Sequence, residues 1–155
     1  MFMDLLAAPA IFPAEAISVL LIGPNYTRRR LLRGILAPPQ WDVREAATYA
    51  EALRILNTAP ISVTIYDAET QQGTWQALLA EIQHRDAPPN LIVSSRLADE
   101  RLWAEVLNLG GYDVLLEPFD RAEVLRVAYM AWRAWRRDLP ASGSLPNAGE
   151  LAAGC

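Results

Sequence analysis

Short apolar runs alternate with amphipathic segments along most of the chain. Most of these runs consist of Ile, Val and Leu and stop abruptly at polar residues, as strands buried in a parallel sheet do. Strands are predicted at residues 17–22, 41–44, 61–66, 91–93 and 114–116. Helices are predicted at residues 26–36, 48–56, 74–83, 98–109 and 120–137. This alternation predicts an α/β fold with a doubly wound, five-stranded parallel sheet and right-handed crossovers.

The same pattern divides the chain into three parts. Residues 1–16 are apolar, but Asp4 and two prolines interrupt them, so they are neither a typical signal peptide nor a membrane span. We interpret them as an N-terminal arm that packs on the body or on a partner. Residues 17–138 form the predicted domain. Residues 139–155 are rich in small residues with Pro and Gly, which predicts a flexible C-terminal tail.

Composition narrows the classes of chemistry that the chain can perform. The 155 residues suffice for one domain, and the net charge of -4 argues against non-specific binding of nucleic acid. All 14 basic residues are Arg, so no site can use a lysine amine. One cysteine, Cys155, and one histidine, His84, argue against an intrachain disulfide and against a His or Cys metal site. The cysteine usage fits a cytoplasmic protein.

Polar residues follow three of the predicted strands at the point where each strand ends. Asp67 follows the third strand, Ser94 the fourth and Glu117 the fifth. Ligands of open parallel sheets bind just beyond the carboxyl ends of the strands. We therefore expect these three side chains to share one site.

The segments IYDAET, IVSS and GGYDVLLEPFD, in this order and at this spacing, resemble the receiver domain of response regulators. The resemblance covers residues 17–137 and implies the flavodoxin-like strand order 2-1-3-4-5. It also implies a role in two-component signalling and phosphorelay. In such receivers the position of Asp67 accepts a phosphoryl group, and those of Ser94 and Glu117 contact it.

The chain departs from the receiver pattern at the positions that handle charge. The resemblance places an acidic, magnesium-binding pair at Gly23 and Pro24, which offer no side-chain oxygen. Glu117 stands where the family has a Lys, which changes the local charge by about two units in the unfavourable direction. We therefore expect no cofactor, with weak Mg²⁺ binding at best through Asp67. The sequence predicts a degenerate receiver, or pseudo-receiver.

The sequence is compatible with three functions. The leading hypothesis is a stand-alone, non-enzymatic interaction module, since no DNA-binding or catalytic segment follows the last predicted helix. The alternative is a conventional receiver that a histidine kinase phosphorylates on Asp67. A flavodoxin-like enzyme is a remote third hypothesis, because the segment GPNYTRR after the first strand lacks a glycine-rich phosphate loop.

Protein partners are expected on the face that the resemblance assigns to association. This face comprises the fourth helix, the fifth strand and the fifth helix, and it would bind a histidine kinase, a downstream regulator or a second copy of the chain. Neither nucleic acid nor a membrane is expected as a partner. Tyr129, Trp132 and Trp135 are the predicted interface residues, although core packing of one Trp is an alternative. Four arginines of the first helix are predicted to form a solvated face: Arg28, Arg29, Arg30 and Arg33.

Overall fold

Strands and helices alternate throughout the part of the chain that the computed structural model describes, residues 15–70 and 73–139. The strands are β1 (Ile17–Ile22), β2 (Trp41–Ala46), β3 (Val63–Asp67), β4 (Asn90–Ser95) and β5 (Asp113–Leu116). The helices are α1 (Tyr26–Ile35), α2 (Tyr49–Thr58), α3 (Trp75–Ile82), α4 (Glu100–Leu109) and α5 (Arg121–Arg137). The predicted arm and tail lie outside the described residues, apart from residues 15, 16 and 139.

The five strands form one parallel sheet in the order β2-β1-β3-β4-β5. This is the predicted doubly wound sheet of order 2-1-3-4-5, so the predicted fold class is confirmed. Because all strands point the same way, their carboxyl ends meet at one edge of the sheet. We call this edge the carboxyl edge.

Local sequence signals set where the helices begin and end. Each helix begins after an Asn, Thr or Asp whose side chain accepts a hydrogen bond from a backbone N–H of the first turn. Thr48 and Glu51, predicted from their capping-box spacing, lie at the start of α2: Thr48 Oγ1 accepts from Glu51 N at 3.1 Å, whereas Glu51 reaches one residue beyond the N-cap and accepts from Ala47 N at 2.8 Å. Gly110 ends α4 with a φ of 104°, in the left-handed region that favours glycine.

Two apolar layers cover the two faces of the sheet. α1 and α5 pack on one face, and α2, α3 and α4 pack on the other. Each layer is closed by aliphatic strand residues and large side chains from the helices, such as Trp132 on the first face and Trp75 on the second. Of the seven buried polar residues in the part of the chain that the structure describes, five lie at the carboxyl edge: Asp67, Thr70, Ser94, Ser95 and Glu117. No helix in the described ranges is long and apolar enough to span a membrane.

Candidate functional site

Three adjacent strand ends bring the predicted site residues together at the carboxyl edge. Asp67 ends β3 and pairs in register with Ser94 of the neighbouring β4. Ala68 N donates to Ser94 O at 2.8 Å, and Glu117 N donates to Ser95 O at 3.0 Å, so the three loops stay in line. The side chains are largely withdrawn from solvent, with that of Asp67 only 8% exposed and that of Glu117 6%. The structure therefore assembles the cluster that the sequence suggests.

Arg28 lies at the centre of this cluster, which the sequence-based interpretation did not foresee. Its Nη1 lies 3.0 Å from Asp67 Oδ2 and 3.2 Å from Glu69 Oε1. Its Nε lies 2.8 Å from Glu117 Oε1. One guanidinium therefore binds three carboxylates that come from two different loops. We call Arg28, Asp67, Glu69 and Glu117 the arginine cluster.

The start of α1 positions Arg28 over the carboxyl edge. Asn25 caps the helix, and its Oδ1 accepts a hydrogen bond from Arg28 N at 2.9 Å. Arg28 therefore lies in the first turn, close to the end of β1, and only 18% of its side chain is exposed. The prediction that all four arginines of α1 form a solvated face is wrong for Arg28 and for Arg29, which is 14% exposed and pairs with Glu45. It is correct for Arg30 and Arg33.

Both oxygens of the Asp67 carboxylate already have partners. Oδ1 accepts a hydrogen bond from Glu69 N at 2.8 Å, and Oδ2 accepts one from Arg28 at 3.0 Å. Thr70 fixes the same loop, since its N and its Oγ1 both donate to Asp67 O, at 2.9 and 2.7 Å. The loop after β3 thus holds Asp67 in one orientation.

The two glutamates of the arginine cluster have opposite electrostatic environments. Burial raises the pKa of Glu117, Arg28 partly counters this, and repulsion from Asp67 and Glu69 raises the pKa further. Its Oε2 is buried and has no hydrogen-bond partner among the described residues. For Glu69, the hydrogen bond from Arg96 lowers the pKa more than burial raises it, and Arg28 adds to the lowering. Glu69 is therefore the stably ionised glutamate of the pair.

The pKa of Arg28 reflects the same balance between burial and charge. Burial disfavours the charged guanidinium, but the hydrogen bond with Asp67 and the attraction of the three carboxylates outweigh it and raise the pKa. A second guanidinium, that of Arg96, lies 2.8 Å from Glu69 Oε2 at the more exposed rim. The site thus pairs three carboxylates with two arginines.

Comparison with known proteins identifies the class to which this geometry belongs. The family model of the response regulator receiver domain matches residues 19–129. The chain therefore belongs to the response regulator receiver family, which confirms the resemblance drawn from its sequence. No match was found among curated proteins.

Solved receiver domains share the fold at low sequence identity. The signal receiver domain of an HD domain-containing protein from Pseudomonas fluorescens Pf-5 is 23% identical, with a TM-score of 0.72 over 80% of this chain and 100% of that one. A response regulator receiver protein from Pseudomonas putida is 27% identical, with a TM-score of 0.66 over 76% and 98%. The receiver domain of a putative Luxo repressor protein from Vibrio parahaemolyticus is 16% identical, with a TM-score of 0.73 over 79% and 94%.

The residues at the family's magnesium position do not fit a magnesium ion. A Cβ built on Gly23 would lie 2.6 Å from Asp67 Cβ, so Asp67 already takes the space of a side chain there. Pro24 adds no oxygen, and the Gly23 carbonyl accepts a hydrogen bond from Arg29 Nη1. In residues 15–70 and 73–139, no group of three or more His, Cys, Asp or Glu is placed to hold a metal ion. Magnesium needs near-octahedral oxygen ligands, and this edge presents a guanidinium instead.

The predicted interface residues of α5 mostly pack against other residues of the domain. Trp132 is only 9% exposed and belongs to the core, with Arg136 stacked 5.6 Å from its ring centroid. Tyr129 and Trp135 are partly buried against the same layer, and Trp135 Nε1 donates to Ala87 O at 3.4 Å. Trp132 therefore follows the alternative that the sequence left open, core packing.

Other apolar residues are exposed on the face formed by α4, β5 and α5. Trp103 and Leu107 of α4 are 51% and 36% exposed, Leu116 of β5 is 49% exposed and Met130 of α5 is 42% exposed. Trp103 and Leu107 are four residues apart and so lie along one stripe of the helix. We call these four residues the apolar face. The sequence contains a signal for the exposure of Trp103 and Leu107. They are four residues apart in a helix in which Leu102 and Val106 already supply the inward positions.

Proposed function

We propose that this chain is a cytoplasmic, receiver-like interaction module of a phosphorelay, in which Asp67 is phosphorylated slowly or not at all. The observation that carries the proposal is the position of Glu117. Its carboxylate binds the guanidinium of Arg28, which also binds Asp67. At the position of Glu117 the family has a cation that contacts the phosphoryl group.

Electrostatics supports this proposal. Phosphoryl transfer depends on cations that neutralise the oxygens of the transferred group. A pair of unit charges about 4 Å apart is worth roughly 1 kcal/mol in water and about 4 kcal/mol at an effective dielectric of 20. A carboxylate in place of a lysine reverses the sign of that contribution. The reversal corresponds to orders of magnitude in rate or in occupancy.

The state of the acceptor points in the same direction. For Asp67 to accept a phosphoryl group, one carboxylate oxygen must attack phosphorus while the bond from phosphorus to the donor's leaving atom breaks, a nitrogen in a phosphohistidine and an oxygen in acetyl phosphate. Both oxygens are engaged in the structure, Oδ2 with Arg28 and Oδ1 with Glu69 N. Arg28 would have to leave Oδ2 first, and its departure would separate charges that are nearly buried.

The apolar face supports the proposal that the chain acts by associating with another protein. Exposed apolar groups that cluster on a surface mark sites of association. Trp103, Leu107, Leu116 and Met130 are exposed apolar residues on the three elements that the family resemblance assigns to association. We propose that this face binds a protein partner, either a second copy of the chain or another regulator.

A test of the proposal is intact-mass measurement after incubation with acetyl phosphate and MgCl2. The natural protein should show little or no gain of one phosphoryl group, and Asp67→Asn supplies the background. Glu117→Lys should increase labelling above the natural protein, because it restores the sign of the charge beside Asp67. Substantial labelling of the natural protein that disappears in Asp67→Asn would refute the proposal.

The same experiment tests the second candidate function, a conventional receiver phosphorylated on Asp67. Two observations favour it. Asp67 and Ser94 are register partners at the carboxyl edge, as acceptor and hydroxyl would need to be. Arg28 and Arg96 also bring positive charge to the edge. Efficient labelling that Ser94→Ala slows would establish this function.

A further inference from the structure

We propose that Arg28 takes the place of the divalent cation of the receiver site: its guanidinium is a built-in counter-ion, so the folded domain does not respond to magnesium. The inference concerns the same site as the proposed function and rests on it. It adds the residue that replaces the metal and explains why the acidic cluster is stable without one.

The geometry of the guanidinium supports this role. Nη1 and Nε point to different carboxylates, with distances of 3.0 Å to Asp67, 3.2 Å to Glu69 and 2.8 Å to Glu117. A planar fork of donors can join several carboxylates in fixed directions, whereas an ammonium group acts as a point charge. Arg28 therefore ties the β3 loop to the β5 loop, as a shared metal ion would.

Burial makes this counter-ion necessary. The side chains of Asp67 and Glu117 are only 8% and 6% exposed. Buried carboxylates that lose their partner are strongly destabilising, because water no longer solvates their charge. Within the described residues, the other ion pair at this edge joins Arg96 to Glu69, so only Arg28 pairs with Asp67 and Glu117.

The position of Arg28 in α1 indicates that it serves the carboxylates rather than the helix. Helix N-termini favour negative side chains, and a cation there opposes the helix dipole. The first turn of α1 contains no acidic residue, although Arg28 lies within it. The unfavourable position is offset by the three carboxylates that face it.

The space at position 23 is too small for the acidic side chain that the family has there. The Cβ of any residue other than glycine would meet Asp67 Cβ at 2.6 Å and Asp67 Oδ2 at 3.2 Å. An acidic ligand at this position would therefore require Asp67 to move, which would break its contact with Arg28. The close approach of Gly23 and the guanidinium of Arg28 are two parts of one arrangement.

The test is thermal unfolding of the natural protein and of Arg28→Met, each in MgCl2 and in NaCl of equal ionic strength. The natural protein should have the same Tm in both salts. Arg28→Met should unfold at least about 6 °C lower in NaCl, as expected for the loss of a buried ion-pair partner. It should recover part of that difference in MgCl2 with a saturable dependence, since Asp67 and Glu117 then lack a counter-ion.

Two comparisons separate loss of the counter-ion from loss of packing. Arg33→Met is the matched control, because Arg33 lies in the same helix, is 52% exposed and pairs with Glu45 at 2.8 Å. This exposed pair should contribute little, so Tm should change by no more than about 2 °C in either salt. Guanidinium chloride well below denaturing concentrations should raise the Tm of Arg28→Met, whereas the same concentration of NaCl should not.

If Arg28→Met does not fold, the double variant Arg28→Met, Glu117→Met removes a buried carboxylate together with its partner and should restore folding. The inference is overturned if the natural protein shows a saturable magnesium response, or if Arg28→Met and Arg33→Met behave alike. It is also overturned if the double variant is no more stable than Arg28→Met. Phosphorylation of Asp67 in a protein whose Tm ignores magnesium would refute the proposed function and leave this inference standing.

Discussion

Gly23→Ala is the smallest change that tests how closely β1 and β3 approach at the carboxyl edge. The added Cβ would lie 2.6 Å from Asp67 Cβ and 3.2 Å from Asp67 Oδ2. Carbon atoms in contact are ordinarily about 3.5–4.0 Å apart, so a shift of roughly 1 Å is required. Asp67 cannot move freely by this amount, because Arg28 and Glu69 N hold its two oxygens.

The expected loss of stability follows from two opposing contributions. Overpacking in a closely packed region costs about 1–3 kcal/mol. Alanine also reduces the freedom of the unfolded chain, which returns about 0.4–1 kcal/mol. The free energy of unfolding should therefore fall by about 1–2 kcal/mol in Gly23→Ala.

Gly34→Ala provides the matched control for the same chemical change. Gly34 lies in α1, and a Cβ there would meet no atom within 4 Å. Alanine should stabilise the helix by up to about 1 kcal/mol. Equilibrium unfolding in urea should separate the midpoints of the two variants by about 1 M, with the natural protein between them. Equal or higher stability of Gly23→Ala would show that Asp67 adapts easily, and the argument against an acidic residue at position 23 would fail.

Three further predictions concern charge, core and surface. Carboxyl-carbon NMR should show that the pKa of Glu117 lies above the usual range for Glu and that the pKa of Glu69 lies below it. The contribution of Glu117 to stability should therefore decline as pH rises through its pKa in the folded state. The contribution of Glu69 should be lost as pH falls through its pKa in the folded state. Urea unfolding should show that Trp132→Ala costs about 3–5 kcal/mol, since its indole lies in the core, and a loss below 1 kcal/mol would contradict this placement. Trp103→Ala should change stability by no more than about 0.5 kcal/mol but weaken self-association or partner capture in light-scattering or pull-down measurements; unchanged association would remove Trp103 from the proposed interface.

Most of the fold could be predicted from the alternation of apolar strand segments and amphipathic helix segments. Continuous apolar runs mark strands that are covered on both faces, and breaks such as Gly110 mark helix ends. The ends of the strands were less predictable. β4 extends through Ser94 and Ser95, and β2 extends to Ala46, because ladder hydrogen bonds continue where the side-chain pattern becomes polar or small. Backbone pairing does not require apolar side chains at these positions.

Arg28 shows why the site was harder to predict than the fold. Helical periodicity assigns a residue to a face of the helix, and by this criterion Arg28 is polar and outward. It does not report that a long side chain in the first turn can reach along the helix axis towards the strand ends. Charge balance could have indicated such a residue. A chain without Lys that places Asp67 and Glu117 at one edge needs an Arg nearby to neutralise them.

The sequence left open which tryptophan of α5 packs in the core, and the structure places Trp132 there. Trp132 and Trp135 lie near the end of α5, where the sequence does not show which strands cover the helix; Trp132 belongs to the core cluster that contains Ile17 of β1 and Trp41 of β2. The end of a helix that is longer than the preceding strand can still be covered by other strands of the sheet. The exposed indole belongs to Trp103, on a helix that contributes fewer residues to the core.

The direction of α5 has a practical consequence for measurements on this protein. The helix starts at the carboxyl edge, and its 17 residues run about 25 Å towards the opposite edge. There Trp135 and Leu139 line a cavity of about 750 Å³ together with Ser18 and Asp42, at the beginnings of β1 and β2. A dye or a surface tether attached at Leu139 would therefore lie far from Asp67. Immobilisation at Leu139 should leave the arginine cluster accessible to donors in solution.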